Sequence, residues 1–359
     1  MRERVGRTQR AAWSGYRLLL GLALLAAFGG LSACDTAFDI AVGPNQDVEL
    51  FSDFPAGDPR TEWVAGALTR LVEAPVRPEA PFQVLVTDST AFERMNDWRN
   101  LVLLGDLGGS AWAARMARRI LGREEVARLV AAGPGYRFTR DVWARGQTVL
   151  FIHAPQPGVL DALPAGTGER LVAQLEERVI EGLGKTIFTT GEQEAMASGL
   201  AKRHGYQLRI PEGFFVEEDP DNRFVRIKRI EPGEPVLFLF VYYEPARMPI
   251  DDPRLPSLCV ALRDTLAAHY FGGDWVEPAR TTTEPTIFAG YEAVEVYGLY
   301  QNDAPMGGPF RLYGFQVGER LYLIDLAVYN PPGGKLSYLR QLEAIARTFE
   351  VVDPPAAPR

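Results

Sequence analysis

The sequence is poor in the residues that form disulfides or bind transition metals. It has two cysteines, Cys34 and Cys259, and three histidines, His153, His204 and His269. No HExxH motif and no Cys/His cluster is present, so we predict no metal site. Two cysteines cannot supply a disulfide framework, and a chain of this length must rely on apolar cores.

The usual motifs of catalytic nucleophiles are also missing. The sequence contains no GxSxG and no SxxK element. Catalytic groups can be assembled from residues scattered along a chain, so this absence favours a non-catalytic protein without excluding an enzyme. We therefore predict no catalytic residues and no cofactor, with an envelope hydrolase that has a dispersed active site as the alternative.

The charge balance argues against nucleic acid as a partner. The formal net charge is -8, and the first 33 residues carry five Arg against one Glu. Without that segment the chain has 33 basic and 45 acidic residues. Such an acidic body lacks the basic surface that a phosphate backbone requires.

The amino terminus has the order of a secretory signal peptide. Residues 2–17 are basic, residues 18–30 are almost continuously apolar, and small residues follow. An apolar run of 13 residues is shorter than the roughly 20 that a membrane-spanning helix needs. We predict that residues 1–33 are removed.

The residues that follow resemble the lipobox of bacterial lipoproteins. The motif is Leu31-Ser32-Ala33-Cys34. The resemblance implies that the Cys34 thiol carries a lipid and anchors the protein in a membrane of the bacterial cell envelope. The alternative is an ordinary signal peptide that happens to end at a cysteine. Asp35 resembles an inner-membrane retention signal of enteric bacteria, but other bacteria sort lipoproteins differently. The sequence therefore leaves both the inner and the outer membrane as possible sites of the anchor.

The mature chain divides into segments with different predicted patterns of secondary structure. Strands alternate with helices before residue 165, which predicts a small layered α/β unit, whereas long strands and two helices predominate after residue 206. We predict an α+β fold: a small layered α/β N-terminal domain, a long bridging helix, and a C-terminal antiparallel sheet with packed helices. The predicted boundaries are signal peptide 1–33, tether 34–46, N-terminal domain 47–165, bridging helices 166–205, C-terminal domain 206–352 and tail 353–359.

Several elements are specific enough to test. Residues 60–73 are predicted as a helix and residues 286–300 as one strand region. In the bridging segment, apolar residues recur every four positions from Leu171 to Ile187. Thr190 and Gln193 have the spacing of a capping box, and His204-Gly205 is a typical helix end.

The most distinctive candidate for binding is a loop of glycine and proline. It comprises Met306, Gly307, Gly308, Pro309 and Phe310. The two glycines permit unusual backbone conformations and the flanking side chains offer apolar contact. A tight connection seated on its own domain explains the same residues. Four tyrosines are predicted near this loop and would line a groove or the edge of the core: Tyr297, Tyr300, Tyr313 and Tyr329.

Two further segments have a functional and a structural interpretation. Residues 105–110 (GDLGGS) stand between an apolar strand and a helix, where amides hold phosphate in other proteins, but the lysine of a P-loop is missing. A simple strand-to-helix turn fits equally well. Acidic residues at 217–219 and 221 suggest Ca²⁺, but a solvated hairpin turn is favoured because EF-hand spacing is absent.

Stretches of the mature chain resemble a family of uncharacterised lipoproteins from Bacteroidetes-type bacteria. The resemblance is strongest after residue 206 and is carried by Arg263-Asp264 and by residues 294–300, 306–310 and 338–345. It implies envelope attachment and no known activity. Residues 210–214 and 348–349 are similar in pattern to the fold shared by a photosystem accessory protein and a nuclear import factor, a fold of mostly non-enzymatic proteins. The expected partners are the membrane and an unknown protein or small ligand.

Overall fold

The structure, a computed structural model, describes residues 39–304, 306–330 and 333–352. The predicted signal peptide, Cys34 and the predicted tail lie outside the described residues. From Ile40 onward the described chain belongs to one compact unit. Within the described ranges, no helix combines the length and the apolar character needed to cross a membrane.

The first part of the chain, residues 40–186, forms a mainly parallel sheet and is called the α/β half. The strand order is β2-β1-β3-β5-β4, and only β4 runs antiparallel to its neighbour. Strands β3 and β5 are buried along their whole length, as expected of parallel strands covered on both faces. The strands are β1 Asp47–Ser52, β2 Gln83–Thr87, β3 Asn100–Gly105, β4 Gly135–Arg140 and β5 Thr148–His153.

Helices cover both faces of this sheet. They are α1 Pro59–Thr69, α2 Trp112–Ile120, α3 Arg123–Ala131 and α4 Thr167–Thr186, with a short 3-10 helix at Ser89–Arg94. Helices α1 and α4 share a core with Leu50 and Leu150, whereas α2 and α3 share one with Phe51 and Leu103. The predicted layered α/β arrangement is confirmed.

The fourfold apolar period of the bridging segment is confirmed, but the capping box is wrong. Leu171, Leu175, Val179 and Leu183 of α4 are buried against the parallel sheet. The next helix, α5, spans Glu194–His204 and begins after Gln193, whose side chain instead donates to the carbonyls of Pro211 and Phe214. It ends at Gly205, which has the left-handed φ of 75° that favours glycine.

The remaining described chain, residues 187–352, is called the antiparallel half. Its main sheet has the order β10-β11-β12-β13-β9-β8-β7, and each neighbouring pair is antiparallel. The short strands β6 Tyr206–Gln207 and β14 Glu350–Val351 pair separately. The long strands are β7 Phe215–Asp219, β8 Phe224–Arg229, β9 Val236–Pro245, β10 Trp275–Phe288, β11 Tyr291–Gln301, β12 Gly307–Val317 and β13 Arg320–Tyr329.

Helices pack on both faces of this sheet. Helix α6, Leu255–Tyr270, packs on one face with Phe240 and Leu312. Helices α5 and α7, Leu336–Ala346, pack on the other with Leu239 and Ile324. Strand β9 therefore contributes to a core on each side, which explains its uninterrupted apolar sequence. The fold is α+β, as predicted.

Two predicted elements need correction, and one observed strand was not predicted. Helix α1 ends at Thr69, four residues early, because Val72 pairs with Glu79 instead of continuing the helix. The single strand predicted at 286–300 is two strands joined at Ala289 and Gly290, both with positive φ, as in a tight hairpin turn. Strand β4 has no counterpart in the sequence prediction.

Part of the segment predicted as a tether is bound to the α/β half. Ile40 and Val42 form β-bridges with Arg145 and Trp98, and Ala41 is buried. Among the described residues, attachment of this segment therefore begins at Ile40.

Candidate ligand-binding cavity between the two sheets

A proline-rich stretch carries the chain along the boundary between the two halves. We call residues 73–82, the larger part of the connection from α1 to β2, the crossing segment; prolines at 75, 78 and 81 keep it out of regular structure. Arg280 of β10 donates to the carbonyls of Pro75 and Val76 at 3.1 and 3.2 Å. A cavity lies on this segment where it meets the antiparallel sheet.

This space, the boundary cavity, has a volume of about 450 Å³. One wall is formed by residues 73–78 of the crossing segment and the other by residues 279–282 of β10, with Tyr297 of β11 between them. The volume falls within the range of small-molecule sites, which prefer boundaries between structural units. Its position at the meeting of the halves makes it the leading candidate for a binding site.

A β-bulge shapes the wall that β10 contributes. The pairing register of β10 with β11 shifts between Glu277 and Thr282, so the intervening residues leave the ladder. On the neighbouring strand, a Cβ at Gly298 would lie 2.5 Å from Thr281 Oγ1 and 2.6 Å from the Phe310 ring. Only glycine leaves room there for the bulge, which in turn directs Arg280 toward the crossing segment.

Tyr297 gives the cavity an aromatic surface and a hydroxyl group. Burial raises the pKa of Tyr297 to about 12, so the phenol keeps its proton at neutral pH and can donate a hydrogen bond. The Arg311 guanidinium lies 5.1 Å from the ring centroid on the same sheet. A ring or an apolar group of a ligand can therefore pack on the aromatic surface that Tyr297 contributes.

Beneath the cavity, buried ion pairs stiffen the sheet. Glu343 of α7 accepts from Arg311 Nη1 and from Arg347 Nη2, each at 2.7 Å. Burial opposes ionisation of Glu343, but the two guanidinium groups outweigh it and hold its pKa below the ordinary value. The charged form of this carboxylate is thus the form that fits the fold.

The same network connects the two halves. Arg347 also pairs with Glu177 of α4, and Arg340 of α7 pairs with Glu176 of α4 through its Nε at 3.1 Å. Arg340 is buried and donates a further bond to the Pro81 carbonyl at 2.8 Å. The walls of the boundary cavity, which come from different halves, are held together by these contacts.

A second cavity of about 430 Å³ lies farther along the crossing segment. Here the Glu79 carboxylate accepts from the amides of Lys335 and Leu336 at the start of α7, at 3.0 and 3.3 Å. Burial lowers the pKa of the Lys335 ammonium. The N-terminus of α7 is therefore already occupied by a carboxylate of the protein itself.

The boundary cavity has groups for binding rather than for proton transfer. Its lining, which lies wholly in the described part of the chain, includes the guanidinium groups of Arg77 and Arg280 and one carboxylate, Glu73. The hydroxyls come from Thr281, Thr282 and Tyr297. A paired acid and base, as general acid–base catalysis requires, does not occur among these lining residues.

The turn at 105–110 follows β3 at the carboxyl edge of the parallel sheet, as predicted, but its amides are in use. The amide of Leu107 donates to His153 Nδ1 at 3.1 Å, and that of Gly108 donates to Asp106 at 3.0 Å. Asp53 accepts from the Ala113 amide at the start of α2. Phosphate would compete with these acceptors, so the strand-to-helix interpretation is favoured.

The titratable groups at this edge are shifted mainly by burial. Burial lowers the pKa of His153 and raises that of Asp53. His153 is buried, with its Nδ1 bonded to backbone, and Asp53 caps a helix. The cluster stabilises the loops of the sheet edge.

The structure places most of the predicted binding loop inside the fold. Gly307, Gly308, Pro309 and Phe310 belong to β12 and pair with β11. Phe310 is fully buried, whereas Met306 is exposed. The segment is thus seated on its own domain as the start of a strand, and Met306 is the side chain available for contact.

The four tyrosines predicted near that loop separate in the structure. Tyr297 lines the boundary cavity. Tyr300 and Tyr313 are buried in the cores on opposite faces of the sheet, and Tyr329 is half-buried. One of the four therefore contributes to the candidate site.

The acidic hairpin turn pairs with neighbouring side chains. Glu217 pairs with Arg226 and Lys228, and Glu218 with Arg203 and His204. Both carboxylates lie on β7, and Asp219 at its end accepts from the Asn222 amide at 3.2 Å, so the segment is a hairpin turn, as favoured from the sequence. Across the described ranges, no group of three or more His, Cys, Asp or Glu side chains is placed to hold a metal ion.

Cys259 lies on the inner face of α6, as predicted, and is fully buried. Burial raises its pKa to about 12, so it is an unreactive thiol. The other two histidines are at helix ends: His204 contacts Glu218 and Tyr243, and His269 packs edge-on against Tyr270.

Sequence reasoning missed the residues that form the boundary cavity. The predicted N-terminal domain contains the crossing segment without assigning it a role, and the predicted strand region at 286–300 begins after the bulged part of β10. The signals were the three closely spaced prolines and the β-branched run Thr281-Thr282-Thr283. Neither signal shows by itself that the two segments meet.

Comparison with solved structures gives matches of low sequence identity. They are cyanobacterial PsbP (CyanoP) from Synechocystis sp. PCC 6803 (12% identity, 41% of this chain, 87% of that chain, TM-score 0.32), a protein from Bacteroides thetaiotaomicron VPI-5482 (10%, 43%, 47%, 0.27), and LpqN of Mycobacterium tuberculosis, described as involved in cell envelope biogenesis (10%, 42%, 83%, 0.27). The comparison with curated proteins finds no match. Residues 193–348 match the family model described as Domain of unknown function (DUF4837), and the chain is similar to that family over this range.

Proposed function

We propose that this chain is a lipid-anchored protein of the bacterial cell envelope that binds a small ligand or a partner without catalysis. The lipid is attached at Cys34, and the ligand enters the boundary cavity. The observation that carries the binding proposal is the cavity itself: about 450 Å³ between two halves, with an aromatic ring, hydroxyls and two guanidinium groups on its walls.

The lining favours a ligand with both polar and apolar parts. Prolines and Val76 of the crossing segment offer apolar surface, whereas Arg77 and the hydroxyl of Tyr297 offer hydrogen-bond donors. Arg280 already donates to two backbone carbonyls, so its main effect is to hold the wall in place.

The alternative, an envelope hydrolase, finds less support. Asp53, Asp106 and His153 converge at the edge of the parallel sheet, but each accepts a backbone amide hydrogen bond. A general base needs an accessible lone pair that faces the substrate. His153 offers none, because it is buried and its Nδ1 accepts from the Leu107 amide, so this group lacks the accessible histidine base of a hydrolytic site.

The cavity is tested by filling it. Ala279 is exposed on its wall, so Ala279→Trp should block the space without disturbing a core. Ala127→Trp, at an exposed position of α3, is the matched control. Native mass spectrometry of protein purified from its own membranes should show a bound small molecule in the wild type and the control, reduced at least tenfold in Ala279→Trp. Equal occupancy in all three proteins would exclude the cavity as the binding site.

The anchor is tested separately. Intact-mass analysis should find a diacylglyceryl group on Cys34 as the first residue of the mature chain, and Cys34→Ala should release the protein from the membrane fraction. An unmodified thiol preceded by an intact leader would reject the envelope proposal.

A further inference from the structure

The face that surrounds Ile40 holds the chain firmly where it enters the compact unit. The Arg99 side chain donates to the carbonyls of Ala41 and Gly43, at 3.1 and 3.4 Å. The amide of Ala41 donates to Arg145 O at 3.0 Å, and the amide of Arg99 donates to Val42 O at 2.8 Å. These hydrogen bonds fix the position of the chain at its entry, so the orientation of this segment is also the orientation of the folded unit.

Apolar side chains at this entry alternate between the interior and solvent. Ala41 is 2% exposed, whereas Ile40 and Val42 on either side are 37% and 44% exposed. This is the period of an extended segment, so Ile40 and Val42 share the outer side. Half-buried Trp98 bridges with Val42, and exposed Arg145 bridges with Ile40. We call these four residues the entry surface.

The distance to the proposed anchor is short. Five residues, 35–39, separate Cys34 from Ile40. An extended chain spans at most about 3.6 Å per residue, so Ile40 stays within roughly 20 Å of the lipid attachment point. A folded unit of this size is roughly 50 Å across, which is larger than that reach. The side of the body opposite Ile40 is therefore kept off the membrane, and the side that contains Ile40 lies toward it.

We propose that the entry surface rests on the phospholipid bilayer that holds the lipid on Cys34. This inference depends on the anchoring proposed above. Ile40 and Val42 enter the headgroup region, Trp98 lies at the level of the interface, and Arg145 faces lipid phosphates. The short tether gives these contacts a high effective concentration, so two apolar side chains suffice for a persistent orientation.

The test measures depth with a label at one position of the entry surface. The full-length protein with Val42→Cys is expressed with its lipid, labelled with bimane, and placed in phosphatidylcholine vesicles that contain acyl-brominated lipid as quencher. The control is Ile287→Cys, which is 65% exposed on β10. Buried Cys259, with its raised pKa, does not compete for the label.

We expect quenching at position 42 to be at least threefold stronger than at position 287. Equal quenching at the two positions, in protein whose Cys34 lipid is verified by mass spectrometry, would overturn the proposed contact between the entry surface and the bilayer. It would leave the proposed lipid anchor intact. An unmodified Cys34 would overturn both proposals, so the two failures are distinguishable.

A longer tether separates contact from mere proximity. Twelve Gly/Ser residues inserted after Asp35 lengthen the reach by about 40 Å in the extended limit. If the entry surface binds lipid, position 42 should retain at least half of its quenching. A fall to the level of position 287 would overturn the proposal.

Discussion

The two halves use charged groups in different ways. In the α/β half, carboxylates cap helices: Asp58 accepts from the Arg60 amide at 2.9 Å, and Asp88 from the Thr90 amide at 2.7 Å. In the antiparallel half, a complete ion pair lies inside the core. Arg263 and Asp325 are 3% and 2% exposed and lie 62 residues apart in sequence.

This difference predicts unequal sensitivity to substitution. A cap at a helix end contributes about 1 kcal/mol because water can replace the lost bond. A buried charge whose partner is removed has no such replacement, and the cost rises several-fold. The antiparallel half should therefore show the larger losses of stability and the stronger dependence on pH.

The largest effect is expected for Asp325→Ala. It leaves the Arg263 guanidinium buried beside the Phe310 ring without its carboxylate, at a cost of about 3–5 kcal/mol in the free energy of unfolding. Guanidinium chloride titration measures it. The double variant Arg263→Met with Asp325→Leu should recover most of the loss, and Arg70→Ala, in an exposed pair, is the control. A loss no larger than that of the control would contradict the contrast between the halves.

A pair of core variants tests whether the halves are separate domains, as the sequence predicts. Leu103→Ala in β3 and Leu323→Ala in β13 each open a fully buried site and should cost about 2–5 kcal/mol. Trp63, Trp112 and Trp143 place tryptophan fluorescence mainly in the α/β half. With separate cores, Leu103→Ala should move the fluorescence transition and Leu323→Ala should not. Equal movement by both variants would mean one cooperative unit.

Glu343→Gln tests the pH dependence of the antiparallel half. The pKa of Glu343 is held below the ordinary 4.5, so its stabilisation is complete above pH 4.5 and is lost as the pH falls through the lower folded value. The variant should cost about 2 kcal/mol at pH 7, and the two proteins should converge toward pH 3 in urea titrations. A constant difference from pH 7 to 3 would contradict this.

Asp53→Asn is the matched variant in the α/β half. Burial raises the pKa of Asp53, so its neutral form favours folding and stability increases as the pH falls through the raised value. The amide oxygen of Asn can still accept from Ala113. We expect Asp53→Asn to leave the free energy of unfolding at pH 7 unchanged, whereas Glu343→Gln lowers it. A loss as large as that of Glu343→Gln would contradict the difference between the two halves.

A small loss of stability is expected when an exposed helix cap is removed. Asp88→Ala removes the acceptor for the Thr90 amide at the start of the short 3-10 helix and should lower the midpoint of thermal unfolding only slightly, because water can replace the lost bond. Asp88→Asn keeps an oxygen at that position and should recover most of the loss. Thermal unfolding of the three proteins measures the difference; a loss that Asn does not reduce would show that the cap is not its cause.

The features that could be predicted from sequence are those that depend on near neighbours. The fourfold period from Leu171 and the stop at Gly205 depend on helix geometry, and the fold class followed from such patterns. The hairpin turn at Ala289 could not be predicted from the sequence, because alanine seldom adopts a positive φ and is not typical of a turn. The loop at 306–310 was misplaced because glycine and proline mark a strand beside close neighbours as readily as a loop.

By itself, the sequence determined the fold class, the apolar faces of the helices and a lipobox-like segment before the folded unit, because periodicity and short motifs act over a few residues. The tertiary structure decided the rest. It brought the crossing segment to the bulge of β10, placed Tyr297 rather than Met306 at a cavity, and buried Arg263 beside Asp325. These pairings join residues far apart in the chain, and their partners are chosen by how the sheets pack rather than by any local pattern.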